Sequence, residues 1–265
     1  MELLRTIVRC PNIQQCYSTG QGTCCTIIAV QSSFPAMLSQ HHVPEPWSGD
    51  IEHAPILFLG PNPGIDKANI PPGEQAKFPL WSCRDEEIEE FFIQRYNQDK
   101  DTPWIKNGTH YLLHNGKYKY VHYWSGVRER AKELLERDVK AGVDYALTEV
   151  VHCQSKTATA ITDQILDECV KRYLQPVVAL SGAKVLVVLG DRARKAMEDT
   201  FKDELKGAFM LSNGRVFGPL QISGRQRYVA FMPHPSRGRY GKPCTFEKCL
   251  DKEALQTLQA FLRKR

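Results

Sequence analysis

The sequence predicts a three-layer α/β/α fold around a mostly parallel sheet of four or five strands. Residues 56–60 and 183–190 are short, continuous apolar runs bounded by glycine or proline, which is typical of strands covered on both faces. Helical patterns separate such runs, and strands that alternate with helices form parallel sheets between helical layers. A chain of 265 residues fits one domain of this kind, so we expect residues 1–265 to form a single unit.

The composition sets three broad expectations. The 35 Lys and Arg side chains exceed the 30 Asp and Glu side chains, and this mild basic excess permits phosphate binding without requiring it. No apolar run approaches the roughly 20 residues that span a bilayer, and the first residues lack the apolar core of a secretory signal. We therefore expect a cytoplasmic protein with no membrane partner. Nine cysteines in such a chain favour reduced thiols or metal ligation over a disulfide framework.

Two long stretches before residue 126 are less regular. Residues 1–55 are rich in Cys, Gln, Ser, Pro and His, and we predict one short helix followed by an irregular, cysteine-containing segment. Residues 65–125 predict a long insertion after the first strand, and such loops are uncommon in compact domains unless they serve a site. Within this insertion, the dipeptide Asn115-Gly116 is a strong hairpin-turn signal.

The remaining elements follow the alternating patterns of an α/β domain. Strands are indicated by short runs of branched aliphatic residues, and helices by apolar residues repeated every three or four positions. In chain order we predict a helix over 127–139, a strand over 145–151, a helix over 161–180 that bends near Pro176, a strand over 183–190, a helix from Asp191, strands over 215–222 and 226–232, and a helix over 246–263.

Two strand ends carry similar loops. The first strand runs into Gly60-Pro61-Asn62-Pro63-Gly64, in which prolines and glycines frame one polar side chain. The last strand runs into His234, which again lies between two prolines. Open α/β sheets bind ligands at the carboxyl ends of their strands. The two loops therefore predict one site that is assembled from distant parts of the chain.

These loops resemble the two active-site motifs of the uracil-DNA glycosylase superfamily. Residues 60–64 are similar to the first motif of the single-strand-selective and mismatch-specific branches, where Asn lies in the middle. His234-Pro235-Ser236 is similar to the second motif of the single-strand-selective and iron–sulfur branches. Residues 147–190 resemble the middle of the iron–sulfur branch. The first motif departs from that branch, which has Glu where this chain has Pro61. The resemblance covers about residues 56 to 240.

The resemblance implies a DNA glycosylase that flips a base out of the stack and excises it, with DNA as the partner and no obligate protein partner. Excision develops positive charge on the sugar and negative charge on the departing base. By resemblance, Asn62 positions the attacking water and His234 donates a hydrogen bond to the base. Gly60, Pro61 and Gly64 shape the loop around the base.

The resemblance also assigns residues that hold the flipped nucleotide and the DNA. Phe78 resembles the aromatic residue that stacks on the base, with an ordinary core phenylalanine as the alternative. Ser236 is expected to bind phosphate. Arg237, Arg239 and Tyr240 fall where the superfamily has its wedge loop, and the alternative is a solvated basic loop.

Glu149 is the informative departure from the superfamily. The iron–sulfur branch has Asn at this place, four residues before a cysteine that corresponds to Cys153. An ionised carboxylate only accepts hydrogen bonds, so it disfavours uracil and favours an exocyclic amino group such as N4 of cytosine. We therefore predict a modified cytosine as the substrate, such as hypermodified phage DNA attacked in antiviral defence. The alternatives are uracil excision in base-excision repair and a purely structural role for Glu149.

The cysteines suggest a metal centre. Cys153 and Cys169 correspond to the last two cluster ligands of the iron–sulfur branch, and Cys10 with Cys16 is our choice for the first two. Four thiolates suit a [4Fe–4S] cluster, zinc would accept the same ligands, and free buried thiols are the third alternative. Cys244 and Cys249 form a competing pair.

Two other function classes are consistent with the same fold. One is a nucleic-acid-binding protein that has lost the chemistry, and the other is a hydrolase of free nucleosides or of RNA bases. The presence of both Asn62 and His234 argues for retained chemistry.

Overall fold

A computed structural model describes residues 1–31, 37–64, 71–155, 161–235 and 244–264. Within them the chain is a mixed α/β protein whose strands, in chain order, are β1 (Trp47–Ser48), β2 (Ile56–Gly60), β3 (Ile105–Lys106), β4 (His110–Leu112), β5 (Tyr118–Tyr120), β6 (Tyr145–Glu149), β7 (Val185–Leu189), β8 (Met210–Leu211), β9 (Val216–Ile222) and β10 (Arg225–Met232).

The helices of the same residues are α1 (Glu2–Val8), α2 (Pro11–Thr19), α3 (Cys25–Gln31), α4 (Asp85–Ile93), α5 (His122–Leu135), α6 (Asp163–Cys169), α7 (Gln175–Leu180), α8 (Asp191–Thr200), α9 (Lys202–Lys206), α10 (Phe246–Cys249) and α11 (Lys252–Arg263). One π-helical turn, Val170–Leu174, joins α6 to α7, so residues 163–180 are helical throughout. No helix in the described part of the chain is both long and apolar enough to cross a bilayer.

The central sheet is mostly parallel and has seven strands in the order β1-β6-β2-β7-β10-β9-β8. Its four inner strands, β6, β2, β7 and β10, run parallel to one another. The outer strands β1, β9 and β8 pair antiparallel. We predicted four or five strands; β1 and β8 have only two residues each, which is too short to give a periodic pattern in the sequence.

Both faces of the inner strands are buried against helices. Alternate residues such as Leu57 and Val188 belong to one apolar cluster, which includes residues of α1, α2, α6 and α8. Their neighbours Phe58 and Val187 belong to a second cluster, which includes residues of α5 and α11. This burial explains why the inner strands read as unbroken apolar runs instead of alternating patterns.

The register aligns the carboxyl ends of the inner strands. Gly60 of β2 pairs with Glu149 of β6, and Met232 of β10 pairs with Leu189 of β7. The loops that follow these four strands therefore open at the same edge of the sheet. The two loops singled out in the sequence lie on this edge.

The N-terminal segment differs from our expectation of an irregular stretch, because α1, α2 and α3 occupy most of residues 2–31. These helices have seven to nine residues, and α2 ends at Gly20 in the left-handed conformation. Ile7 and Ile13 are fully buried. Helices this short depend on tertiary packing for their stability, so their sequences need no long repeat.

The long stretch before α5 contains α4 and a separate antiparallel sheet in the order β3-β4-β5. The predicted turn lies between β4 and β5, where Gly116 has a φ of +81°. Helix α5 begins at His122, five residues before the predicted start. Residues 65–70 of the predicted insertion lie outside the described residues.

Candidate active site

The loop after β2 is held against the chain that follows β6. The N–H of Val150 donates to the carbonyl oxygen of Gly60 at 2.9 Å, and the N–H of Ser155 donates to that of Pro63 at 3.1 Å. Gly64 forms a parallel bridge with Ser155. The loop is therefore paired along its length, in addition to the stiffening that its prolines provide.

Asn62 has a fixed side chain on this loop. Its Nδ2 donates to the carbonyl oxygen of Pro63 and to Oγ of Ser155, both at 2.8 Å. A backbone carbonyl only accepts, so the NH₂ group must be on that side of the amide. The other polar atom of the side chain, Oδ1, is an acceptor with a defined orientation. An amide oxygen of this kind can orient a water molecule, although it is too weak a base to deprotonate one fully.

Glu149, at the end of β6, is buried beside Gly60. A Cβ at position 60 would collide with Oε2 of Glu149, so only glycine allows this close approach. Among the described residues, Oε2 has no hydrogen-bond partner of standard geometry. Buried polar atoms are almost always paired in native proteins, and the hydroxyl of Tyr123 is close enough to interact with this carboxyl as a hydrogen-bond partner.

The environment of Glu149 favours its neutral form. Burial raises the pKa of its carboxyl well above the ordinary value of 4.5, and the carboxylate of Glu45 raises that pKa further. Glu45 is itself paired with Arg95 in a largely buried salt bridge. The nearby hydroxyl of Tyr123 lowers the pKa of Glu149, but burial is the largest effect. We expected an ionised carboxylate from the sequence; in this site a neutral carboxylic acid is favoured, and it can both donate and accept.

Tyr123, near the start of α5, is a site residue that the sequence motifs did not indicate. Its ring stacks on His234 with centroids 5.0 Å apart and planes 19° apart. Its buried hydroxyl lies 2.8 Å from the position that a Cβ on Gly60 would take, and it too lacks a partner of standard geometry among the described residues. The only sequence signal was its place in an aromatic stretch after the predicted hairpin.

His234 follows β10 and is half-buried. It lies next to Gly190, where an added Cβ would be 3.4 Å from the Cβ of His234, and Gly190 has a φ of +84°. The N–H of Gly190 donates to the carbonyl oxygen of Met232 at 2.8 Å, which ties the ends of β7 and β10 together. Through Tyr123, the structure thus connects the His234 loop with Gly60 and Glu149.

Phe78 lies in an aromatic cluster. Among the described residues its ring contacts are with His42, Phe91 and Phe92, at centroid distances of 5.3, 5.4 and 5.7 Å. The guanidinium of Arg95 lies 5.6 Å from the centre of the Phe78 ring. These contacts place Phe78 in the packing between α4 and the loop before β1, and they do not join it to Glu149 or His234.

The predicted phosphate and wedge residues, Ser236, Arg237, Arg239 and Tyr240, lie outside the described residues. The chain after them is anchored by Arg130, a fully buried residue of α5. Its Nε and Nη2 donate to the carbonyl oxygen of Cys244 at 2.8 and 2.6 Å. Burial lowers the pKa of Arg130 to about 10, an effect that the neighbouring Tyr123 opposes. Its Nη1 has no partner in the described part of the chain.

Buried thiols gather behind the end of β6. Burial raises the pKa of Cys153 well above its ordinary value, and the neighbouring thiols of Cys169, Cys10, Cys24 and Cys16 raise it further, in that order of effect. The pKa of Cys169 is raised by burial and then by Cys24 and Cys10. Two of the N-terminal thiols, on Cys10 and Cys24, are therefore neighbours of both predicted downstream ligands.

Cys16, the other predicted N-terminal ligand, is also among the thiols that neighbour Cys153, and it has a second neighbour in Cys25. Burial raises its pKa to about 12, and its hydrogen bond with Cys25 is the second cause. Among the residues that the structure describes, no group of three or more Cys, His, Asp or Glu side chains is arranged to hold a metal ion. Cys244 and Cys249, the competing pair, form a disulfide, and their Cα atoms are 6.8 Å apart, within the range that a disulfide spans. The composition favoured reduced thiols or metal ligation over a disulfide framework, and this one bond departs from that expectation.

Comparison with known proteins finds no matching protein-family model and no matching curated sequence. The resemblance to the glycosylase superfamily therefore rests on the two loops and on the segment between them.

Proposed function

We propose that this protein is a DNA N-glycosylase of the uracil-DNA glycosylase type, which flips out and excises a modified or damaged pyrimidine and leaves an abasic site. The observation that carries the proposal is that two distant strand-end loops lie at one sheet edge, with Glu149 buried beside Gly60 of the first loop and Tyr123 stacked on His234 of the second. The mixed α/β architecture with helices on both faces of the sheet is consistent with the three-layer fold of that superfamily.

The proposed reaction uses Asn62 and His234 at opposite ends of the bond that breaks. Water adds its oxygen to C1′ of the sugar as the C1′–N1 bond breaks, and the bonding electrons leave with the base. The water proton is released and the base is finally protonated. Asn62 Oδ1 accepts a hydrogen bond from the water, while His234 donates to the base oxygen at which negative charge develops.

Glu149 would read the edge of the base. In its neutral form, the hydroxyl donates to N3 of cytosine and the carbonyl accepts from N4–H. The same group can accept from N3–H of uracil and donate to its O4. If Glu149 ionises, each base keeps one hydrogen bond, from N4–H of cytosine or from N3–H of uracil, and loses the donor that faced N3 of cytosine or O4 of uracil. A modified cytosine is the first candidate because Glu149 stands where the uracil-reading relatives have Asn, and uracil is the second.

A modification is required because removal of ordinary cytosine would destroy the host genome. Hydroxymethylated or glucosylated cytosine in phage DNA would supply such a target, and defence against phage is the proposed role. The stretch before α5 contains the separate sheet β3-β4-β5, and β5 ends three residues before Tyr123. It is the candidate region for accommodating a bulky substituent.

One face of the small sheet supports a nucleic-acid partner. The register places Lys106, His110 and Tyr120 in one row across β3, β4 and β5. The ring of Tyr120 contacts His110 and His122, and it is 44% exposed. The Nζ of Lys106 lies 5.3 Å from the centre of the Tyr118 ring. Cations interleaved with aromatic rings are the pattern with which proteins bind single-stranded nucleic acid.

The buried thiols are proposed to hold a [4Fe–4S] cluster, with zinc as the alternative. Cys10, Cys153 and Cys169 are common to the sequence prediction and to the thiol group, and the fourth ligand is either the predicted Cys16 or Cys24, since both neighbour Cys153. Metal ligation requires thiolates, and a metal ion would offset the cost of burying them. A cluster bound here would cross-link the N-terminal helices to β6 and α6.

Oligonucleotides that carry one candidate base test the proposal. We would incubate single strands and duplexes containing uracil, hypoxanthine, cytosine, hydroxymethylcytosine or glucosylated hydroxymethylcytosine, and then treat them with alkali. Strand breakage marks an abasic site and supports a glycosylase. A gel shift without breakage on any member of the panel would support a binding protein that lacks the chemistry.

A further inference from the structure

Tyr123 fills the space between the two motifs. Glu149 ends the first of the four inner strands and His234 follows the last, with β2 and β7 between them. Neighbouring strands are about 4.8 Å apart, so β6, which carries Glu149, and β10, which precedes His234, are roughly 14 Å apart. Tyr123 bridges much of this gap, because its ring stacks on His234 while its hydroxyl lies beside Glu149 over Gly60.

A base that contacts both Glu149 and His234 needs the same space. A pyrimidine and a phenol are both planar six-membered rings, so either one can occupy the gap. The two cannot occupy it together, because the Tyr123 ring already lies against the imidazole of His234 while its hydroxyl lies beside Oε2 of Glu149 over Gly60.

We propose that Tyr123 holds the place of the base and controls entry to the pocket, turning away from His234 when a base enters. This inference rests on the proposed function, since it concerns the pocket named there. Tyr123 is the second residue of α5 and is partly exposed, so rotation about its side-chain bonds leaves the helix backbone unchanged. Turning would end the interaction of its hydroxyl with Glu149, which the edge of the entering base would replace.

Free bases provide a test that needs no turnover. Free cytosine and free uracil would be titrated into the wild type, Tyr123→Ala and Tyr123→Phe, with the imidazole C–H resonances of His234 followed by NMR and assigned with His234→Ala. Removing the ring removes a competitor, so Tyr123→Ala should bind at least one base about 10-fold more tightly, as expected when the open state is about a tenth of the wild-type population. Tyr123→Phe keeps the ring and should bind close to the wild-type affinity.

The direction of the change decides between two roles for Tyr123. Weaker binding by Tyr123→Ala would mean that the Tyr123 ring is a fixed part of the pocket that stacks on the base, and it would overturn the proposal. An unchanged affinity, or no binding of either base, would also overturn it. The wild type gives a second measurement should Tyr123→Ala fail to fold. The stacked Tyr123 ring imposes a ring-current shift on the His234 protons, and saturating base should remove that shift because the ring turns away. His234 resonances that do not change on saturation would overturn the proposal.

This test is separate from the test of the proposed function. Suppose that the wild type excises no base from the oligonucleotide panel, but Tyr123→Ala binds a free base more tightly. The proposed reaction would then be refuted, and the role of Tyr123 in controlling entry would still be supported. If the wild type excises a base but Tyr123→Ala binds free bases with wild-type affinity, the reaction would be supported and the role of Tyr123 in controlling entry would be refuted.

Discussion

Replacement of Glu149 by Gln isolates the consequence of burying a carboxyl group at the centre of this site. Gln has nearly the same shape and also carries one donor group and one acceptor, but it does not titrate. The pKa of Glu149 is well above its ordinary value of 4.5, chiefly because of burial and secondly because of Glu45. Any difference between the two proteins that changes with pH therefore reports the proton on Glu149.

The sign of the stability change follows from proton linkage. Between the ordinary pKa of Glu149 and its raised pKa in the folded state, the folded protein binds one more proton than the unfolded chain. The free energy of unfolding of the wild type therefore falls as pH rises through this window, by at most about 1.4 kcal/mol per pH unit from this one group. Below the window the contribution is fully present, and above it the contribution is lost. Glu149→Gln lacks this decline.

Urea unfolding at each pH unit from 5 to 9 measures the difference. We expect the free energy of unfolding of Glu149→Gln, relative to the wild type, to increase with pH. The control is Glu253→Gln on α11, where the side chain is exposed, and its pH dependence should match that of the wild type. Single-turnover excision by the wild type should also fall with pH on either base, because ionised Glu149 loses the donor to N3 of cytosine or O4 of uracil, and Glu149→Gln should not show this fall. Stability curves that run parallel for Glu149→Gln and the wild type at every pH would refute the buried, neutral carboxyl.

The remaining predictions concern the water, the base oxygen and the metal centre. Asn62→Ala should bind DNA normally and lose most excision because nothing orients the water, so a near-normal single-turnover rate would remove Asn62 from the mechanism. Ser155→Ala removes one of the two hydrogen bonds that hold the Asn62 amide; the loss of about 1 kcal/mol corresponds to roughly five-fold slower excision, and the exposed Ser18→Ala is the control. His234→Ala should slow excision by roughly 10²–10³-fold, the usual effect of removing one donor to a developing oxyanion, and an unchanged rate would place His234 outside the site. Protein purified anaerobically should be brown and contain iron that is lost in Cys153→Ser; colourless, iron-free protein would leave zinc or free thiols.

The sequence predicted the parts of the fold that depend on local pattern. Residues 56–60 and 183–190 read as buried strands because both faces of a central strand pack against apolar layers, which leaves an unbroken apolar run. The turn at Gly116 was predictable because its positive φ suits glycine. Of the helices α1 to α3 the sequence predicted only one short helix, and the other two were not predictable because helices of seven to nine residues obtain their stability from partners distant in the chain.

The candidate site divides in the same way. The sequence by itself singled out Asn62 and His234, because a proline-framed polar residue at a strand end is a local feature, and it placed Glu149 at the end of a strand. Only the tertiary structure decided that Glu149 is buried beside Gly60 with a raised pKa, and that Tyr123 lies between the two loops. The physical reason is that burial, pKa and ring stacking depend on which segments of the chain lie next to each other in space. The strand order β6-β2-β7-β10 brings together residues that are far apart in sequence, such as Gly60 and His234, which are separated by 174 residues.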